Sequence, residues 1–333
     1  MASRHLLKPR DNPALLSLVI PAYNEELIIP ALRARLDAFL ATLPCPVEVI
    51  IVNDGSADAT LDLLMDWAAA DRRIRVLGLA RNFGHQAAVT AGLDAAAGDA
   101  IAIIDCDLQD PPEVILEMLA RYRDGYEVVY GQRASRKGEG AFKRFTAWLF
   151  YRLMKTLIYR DLPEDTGDFR LVSRRCLDAL GSMRETHRFL RGMVAWVGFA
   201  QTAVRYERSP RAAGETKYPF RAMLKFAWTA AVSFSPLPLR IGLLIGIAVA
   251  SLGLLFGAYV AMGRLFGWYT PAAGWASQAV LTSLLGGAVL ISNGILGEYV
   301  GRIFEEAKGR PLYIVSQSAN LVPAERDRGL PKA

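Results

Sequence analysis

The sequence predicts an α/β domain built on a mostly parallel sheet, followed by two apolar helices long enough to cross a membrane. Three observations carry this. Short apolar runs alternate with segments of helical periodicity through the first part of the chain, the pattern of strands joined by crossover helices. Clusters rich in Asn and Asp close successive strand-like runs, where ligands bind in open α/β sheets. Two long stretches nearer the C-terminal end carry no charge at all.

The first strand is Leu16–Ile20, broken by Pro21. Glu26–Leu43 sets Leu32, Leu36, Phe39 and Leu40 on one helical face, and Val47–Val52 is the second strand. Asp58–Ala70 is predicted helical, with Ser56 as its cap. Ile74–Leu79, Gln86–Ala96, Ala100–Ile104, Glu113–Arg123 and Val128–Tyr130 continue the alternation of strand and helix. Phe142–Arg160 mixes Phe145 and Trp148 with Lys143 and Arg144, as does Tyr218–Phe234 with its Arg221 and Lys225. Basic, aromatic-rich helices of this kind lie in membrane interfaces, although an ordinary surface helix fits the first segment equally well. Phe199–Tyr206 reads as a further strand.

Hydrophobic residues make up 52% of the 333, and mean hydropathy is +0.20, both high for a soluble chain. Ile241–Met262 and Ser277–Leu296 account for the excess. A helix of about 22 residues rises about 33 Å, against a bilayer core of about 30 Å. Arg221, Lys225 and Arg240 precede the first run and Arg302, Lys308 and Arg310 follow the second, with only Arg264 between. The positive-inside rule therefore puts both ends in the cytoplasm. The N-terminal residues lead into strand-like sequence with no separate apolar segment, so no secretory signal is expected. The expected organisation is a cytosolic α/β domain over 1–215 and an interfacial helix over 216–236. A membrane hairpin over 237–300 and a cytosolic tail over 301–333, disordered past Gln317, complete it. Net charge of +6 points to anionic partners, which for a membrane chain are phosphorylated substrates and lipid rather than nucleic acid. Cys45, Cys106 and Cys176 have neither metal spacing nor a disulfide framework, as in a reducing compartment. Nothing in the sequence excludes a homo-oligomer.

Asp105-Cys106-Asp107-Leu108-Gln109-Asp110 directly follows the apolar run Ala100–Ile104. Two carboxylates one residue apart, with the Gln109 carbonyl two further on, suit a hard divalent cation shared with a diphosphate. A solvated acidic loop is the commoner meaning of a bare D-x-D. Pro21-Ala22-Tyr23-Asn24-Glu25 closes the first strand and Asn53-Asp54-Gly55-Ser56 the second, so three polar clusters share one sheet edge. Tyr23 offers a ring face to a base, and Asp54 an acceptor to its N–H. Each cluster alone is an ordinary turn.

The ordered set P-A-Y-N-E, N-D-G-S-A-D, R-N-F-G-H-Q, D-C-D-L-Q-D-P-P and T-G-D-F-R-L resembles glycosyltransferase family 2. More narrowly it is similar to the polyprenyl-phosphate glycosyltransferases, the dolichol-phosphate mannose synthase and bactoprenol glucosyltransferase group. The resemblance runs from about Leu16 through both apolar stretches. It implies a GT-A fold that transfers a sugar from a nucleotide-sugar, UDP-glucose first, to undecaprenyl phosphate with inversion, at the bacterial cytoplasmic membrane. It implies that Pro21, Tyr23, Glu25, Asp54 and Asp105 hold the nucleotide, and that Asp105, Asp107 and Gln109 hold Mg²⁺ or Mn²⁺. Asp168 stands at the family's catalytic carboxylate, with Asp165 as local competitor. Arg133, Lys143 and Arg211 match contacts to the acceptor phosphate, and Arg188 and Arg191 are further candidates near the cleft. The family often has Arg in place of Lys143, so that contact loses a bidentate fork. His85 is expected to have a structural or nucleotide-side role rather than to act as a base. Gln201–Tyr206 is one residue from the Q-x-x-R-W motif of processive polysaccharide synthases, but those have many spans. Transfer of GlcNAc, galactose, mannose or an amino-arabinose derivative, and an inactive membrane scaffold, are the competing functions.

Overall fold

The computed structural model describes residues 7–134, 166–207, 237–267 and 274–321. Its first half alternates β1 (Leu16–Ala22), α1 (Ile29–Leu40), β2 (Val47–Asn53), α2 (Thr60–Ala70), β3 (Ile74–Leu79) and α3 (His85–Ala95). There follow β4 (Ala100–Ile103), α4 (Val114–Arg123), β5 (Val128–Arg133), β6 (Thr166–Ser173), α5 (Arg174–Ser182), α6 (Leu190–Val197) and β7 (Gln201–Tyr206). The chain ends with α7 (Leu237–Leu265), α8 (Trp275–Ala307) and β8 (Val315–Ala319). Lys143, Asp165, Arg211 and both segments expected at the membrane interface lie outside the described residues.

The strands form one eight-stranded sheet in the order β7-β5-β6-β4-β1-β2-β3-β8. β1 pairs in parallel with β2 and β4, β2 with β3, and β5 with β7. β6 runs against both β4 and β5, and β8 runs against β3. Every residue of β1 is buried, as a strand covered on both faces requires. Leu16, Leu18 and Ile20 join Leu32, Leu36, Ile115 and Met118 in the main core. On the other face α3 lies very close to the sheet. A Cβ on Gly92 would come within 2.4 Å of Val19, so glycine is what allows that approach.

Two sequence expectations are corrected here. Ser56 does not cap α2: its hydroxyl takes the backbone N–H of Asn24, and the α2 start is served by Asp58, whose Oδ1 accepts from Thr60 N–H at 3.1 Å. The chain past Gln317 is not a disordered tail at its outset, because Val315–Ala319 is a strand on the β3 edge. Its short polar sequence shows no clear alternation, and only the partner strand makes it one.

The chain divides into two units, Met1–Pro219 with Arg310–Ala333, and Phe220–Gly309. The second contains α7 and α8, which are long and apolar enough to cross a membrane over Gly242–Val260 and Leu284–Ala307. α8 continues well past Leu296, the expected end of the span. Its charged last turns carry an Arg302–Glu298 pair at 3.2 Å, the one-turn spacing that a helix supports.

Candidate active site

The parallel register brings the strand ends level: Ala22 pairs with Asn53, and Val19 with Ile103. Beyond them the loops are laced together. Asn24 N–H donates to Ser56 Oγ at 2.9 Å, Asn24 Oδ1 accepts from Ala57 N–H at 2.9 Å, and Glu25 N–H donates to Thr60 Oγ1 at 2.8 Å. Asn24 holds φ at 52°, a left-handed value that Asn tolerates better than most residues. Tyr23 stands 40% exposed on this edge, whereas Pro21 is buried within β1 and Glu25 is half-buried.

Gly55, at φ 64°, closes the β2 loop onto the β3 loop, where a Cβ would lie 2.3 Å from the Arg81 carbonyl carbon. The fold commits Asp54 to the same junction. It is 3% exposed, and its two oxygens accept the N–H groups of Phe83 and Gly84 at 2.8 and 2.9 Å. Asp54 thereby holds the turn that opens α3, whose backbone donors have no helical partner.

Asp105 emerges on this edge just after β4, where Ile104 N–H still bonds to the Val19 carbonyl at 3.1 Å. Cys106 turns into the core, 4% exposed. Leu108 takes φ 56° and reverses the chain, and Gln109 meets Asp107 Oδ1 through its backbone N–H at 3.1 Å rather than through its side chain. Burial pushes the Asp105 carboxyl up to about 6; His85 opposes the rise, and the charges of Asp168, Asp110 and Asp107 add to it. Asp105 thus lies among several carboxylates, with His85 as the neighbouring group that opposes the rise. The carboxylates of Asp105 and Asp107 are hard oxygen donors of the kind that fit Mg²⁺ or Mn²⁺. Among the described residues no three His, Cys, Asp or Glu side chains converge as a metal cage.

Asp168, in β6 beside β4, is 6% exposed and surrounded by donors. Arg191 from α6 forks onto it, Nε to Oδ1 at 2.8 Å and Nη2 to Oδ2 at 3.3 Å. Gln86 Nε2 donates to Oδ2 at 3.2 Å, and His85 Nε2 lies 3.2 Å from the same oxygen. Burial opposes ionisation, but Arg191, the hydrogen bonds from His85 and Arg191, and the charge of Arg170 hold Asp168 well below the usual carboxylate range. Arg170, 4% exposed, bonds the Gly167 carbonyl at 3.0 Å, and burial pushes its guanidinium down to about 10, so it stays charged at neutral pH. His85 also reaches Asp105 Oδ1 at 3.8 Å. Burial works against its charged form, yet Asp168 and Asp105 raise its pKa above the ordinary value.

Arg133 ends β5 next to β6, with Nη2 3.3 Å from where a Gly167 Cβ would sit. Its charge acts on Tyr206, whose hydroxyl donates to Asp110 Oδ1 at 2.5 Å. The two further arginine candidates near the cleft are both engaged within the chain. Arg191 is committed to Asp168, and Arg188 sends Nη2 to the Leu180 carbonyl at 3.3 Å. The reason is local: the α5–α6 connection turns Arg188 toward the end of α5. His85 and Gln86 were not expected at Asp168. Their only signal was the R-N-F-G-H-Q segment at a strand end, because the Asp168 contact spans the chain from α3 to β6.

Strand ends that gather an Asp-x-Asp turn and a donor-held carboxylate, on a mostly parallel sheet with one reversed inner strand, define a GT-A-like sugar-transferase fold. The chain belongs to glycosyl transferase family 2, whose family model matches residues 17–181. It is 47% identical over 302 residues to the uncharacterized glycosyltransferase YkcC of Bacillus subtilis, covering 91% of this chain and 93% of that protein. It is 40% identical over 304 residues to the bactoprenol glucosyl transferase of Shigella phage SfII, covering 91% and 98% of the two chains. Among solved structures it resembles glucosyl-3-phosphoglycerate synthase from Mycobacterium tuberculosis in complex with Mn²⁺, uridine-diphosphate and phosphoglyceric acid. That likeness has a TM-score of 0.50 at 18% identity, covers 66% of this chain and 76% of that one, and concerns the fold.

Proposed function

We propose that this protein transfers a sugar from a nucleotide-sugar, UDP-glucose first, to a polyprenyl phosphate such as undecaprenyl phosphate, with inversion, at the cytoplasmic membrane face. The observation that carries the reading is the His85 ring, 3.2 Å from Asp168 and 3.8 Å from Asp105. It brings the diphosphate-side carboxylate and the acceptor-side carboxylate to one ring's width. The bactoprenol name of relatives that match this chain along most of its length supports the lipid acceptor.

In this reading Tyr23 stacks on the base, and Asp105 and Asp107 hold a divalent cation on the diphosphate. That ion, when bound, neutralises the leaving diphosphate as a Lewis acid. Arg133 faces the acceptor phosphate, joined by Lys143 and Arg211. A phosphate monoester has a second pKa of about 6 and is mostly dianionic at pH 7, so its oxygen attacks the anomeric carbon without a general base. Asp168, fixed by Arg191, Gln86 and His85, orients that site and stabilises positive character at the anomeric carbon. A single displacement inverts the anomeric configuration. The test is radiolabelled transfer from a panel of nucleotide-sugars into the butanol phase with undecaprenyl phosphate as acceptor. UDP-glucose is expected to give the highest kcat/KM. Label from another sugar replaces the donor assignment, and none from any donor ends the reading.

We also read α7 and α8 as a membrane hairpin. The strand β8, which follows α8, lies in the same sheet as β1–β7. Its return to the catalytic domain supports an even number of crossings with both ends on one side. In a Cys45→Ser background, Gly274→Cys is expected to label with an impermeant maleimide from outside intact cells, and Ser318→Cys only after lysis. The opposite pattern excludes the hairpin.

A further inference from the structure

The residues after α8 form a strap on the catalytic domain. β8 covers the β3 edge, Ala80 N–H donates to the Ile314 carbonyl at 2.8 Å, and Ser316 Oγ donates to the Gly78 carbonyl at 3.0 Å. Asn320 closes the far end, its Nδ2 reaching the carbonyls of Ala68 and Ile74 at 2.6 and 2.9 Å. Covering an edge strand protects it from pairing with other chains. That accounts for the strand, but not for what Tyr313 does at the near end.

Tyr313 is 9% exposed, and its hydroxyl donates to Asp94 Oδ2 at 2.8 Å. Asp94 lies in the last turn of α3, and Arg184 Nη1 holds both of its oxygens at 2.9 Å. Burial and the Asp94 charge raise the Tyr313 pKa, so the hydroxyl keeps its proton and remains a donor. Arg184 belongs to the connection between α5 and α6. Asp94 thus joins the strap, α3 and the entry to α6. Those two helices carry the side chains that grip Asp168: His85 and Gln86 at the start of α3, Arg191 in α6. A second tie crosses between them at the active-site end, where Leu190 N–H donates to Gln86 Oε1 at 3.0 Å.

We propose that Tyr313 is a positioning residue for sugar transfer. Through Asp94 it clamps the distal end of α3 to the α5–α6 connection, and so holds His85, Gln86 and Arg191 in register on Asp168. The inference rests on the glycosyl-transfer reading above. It makes the segment following the second apolar helix part of the catalytic apparatus rather than a tail.

The experiment uses the full-length protein in detergent or nanodiscs and compares two variants of the same strap. Tyr313→Phe keeps the ring and removes only the hydroxyl. Asn320→Ala loosens the strap at α2, away from Asp168. Tyr313→Phe is expected to lower kcat by about 5- to 10-fold, the scale of one lost hydrogen bond felt at the reacting centre, with the nucleotide-sugar KM within about twofold. Amides 85–90 and 190–194 are expected to exchange faster with deuterium in that variant, and Asn320→Ala to lower Tm while kcat holds. Asp94→Asn leaves the strap in place and is expected to give the same split between kcat and KM; it decides alone if Tyr313→Phe does not accumulate. Equal kcat loss in the Tyr313 and Asn320 variants, or faster exchange confined to 310–320, makes the strap structural only and overturns the proposal. An inactive wild-type protein would instead count against the transfer reading, and the exchange comparison would still report on the clamp.

Discussion

Asp168→Asn is expected to lower turnover by about 100-fold or more, the scale of removing one preorganised electrostatic contact from an active site. The substitution preserves shape but leaves Arg191 and Arg170 facing a neutral amide where a carboxylate balanced them. It also forces an amide N–H toward donors that point inward from Gln86 and His85. The more telling result is the pH–rate profile of this variant. The guanidinium of Arg191 and the bond from His85 keep Asp168 ionised well below the usual carboxylate range, so it does not titrate near neutral pH. The acidic limb of the profile is therefore expected to survive in Asp168→Asn, set by protonation of the acceptor phosphate. Loss of that limb would make Asp168 the titrating base and overturn its assignment as an orienting charge.

Chelation is expected to abolish transfer, with Mn²⁺ or Mg²⁺ restoring it, and Asp107→Asn is expected to remain far below wild type at any metal concentration. Two carboxylates facing a diphosphate repel it unless a cation lies between them. The pH dependence follows from Asp105. Its folded value of about 6 lies above the unfolded 3.8, so between these values the folded chain holds a proton that the unfolded chain has lost. Without a cation, stability therefore falls as pH rises through that window. A cation replaces that proton, so the rise in Tm on adding Mn²⁺ with UDP is expected to be larger at pH 7.5 than at pH 5. An equal rise at both pH values, or full activity in chelator, would remove the cation from Asp105 and Asp107.

Much of the fold was legible because its signals are local. Leu16–Ala22 and Val47–Asn53 are apolar runs that stop at Asn and Asp, and the parallel register then places those stops side by side. Asp105 could be located from the apolar run before it. The active-site partners were less legible. Arg191 is one of several arginine candidates near the cleft in sequence, and only the tertiary fold shows that it forks onto Asp168. His85 sits after a glycine at a helix start, in the R-N-F-G-H-Q segment, which gives no sign of its contact with Asp168. Asp54 reads as a nucleotide contact in sequence, where its hold on the turn before α3 was not legible. Its two backbone partners belong to a different loop.

The sequence by itself determined the alternation of strands and helices, the sheet edge that carries the Asp-x-Asp turn, the family, and the two apolar helices. Each is written in periodicity, in charge-free length or in an ordered set of short motifs, which survive without knowledge of distant contacts. Tertiary structure alone decided which side chains hold Asp168, where Arg188 and Asp54 point, and that Val315–Ala319 closes the β3 edge. Those outcomes depend on pairs far apart in the chain, such as Tyr313 with Asp94. A polar strand of five residues has no pattern of its own, and the open edge of β3 supplies the hydrogen bonds that define it.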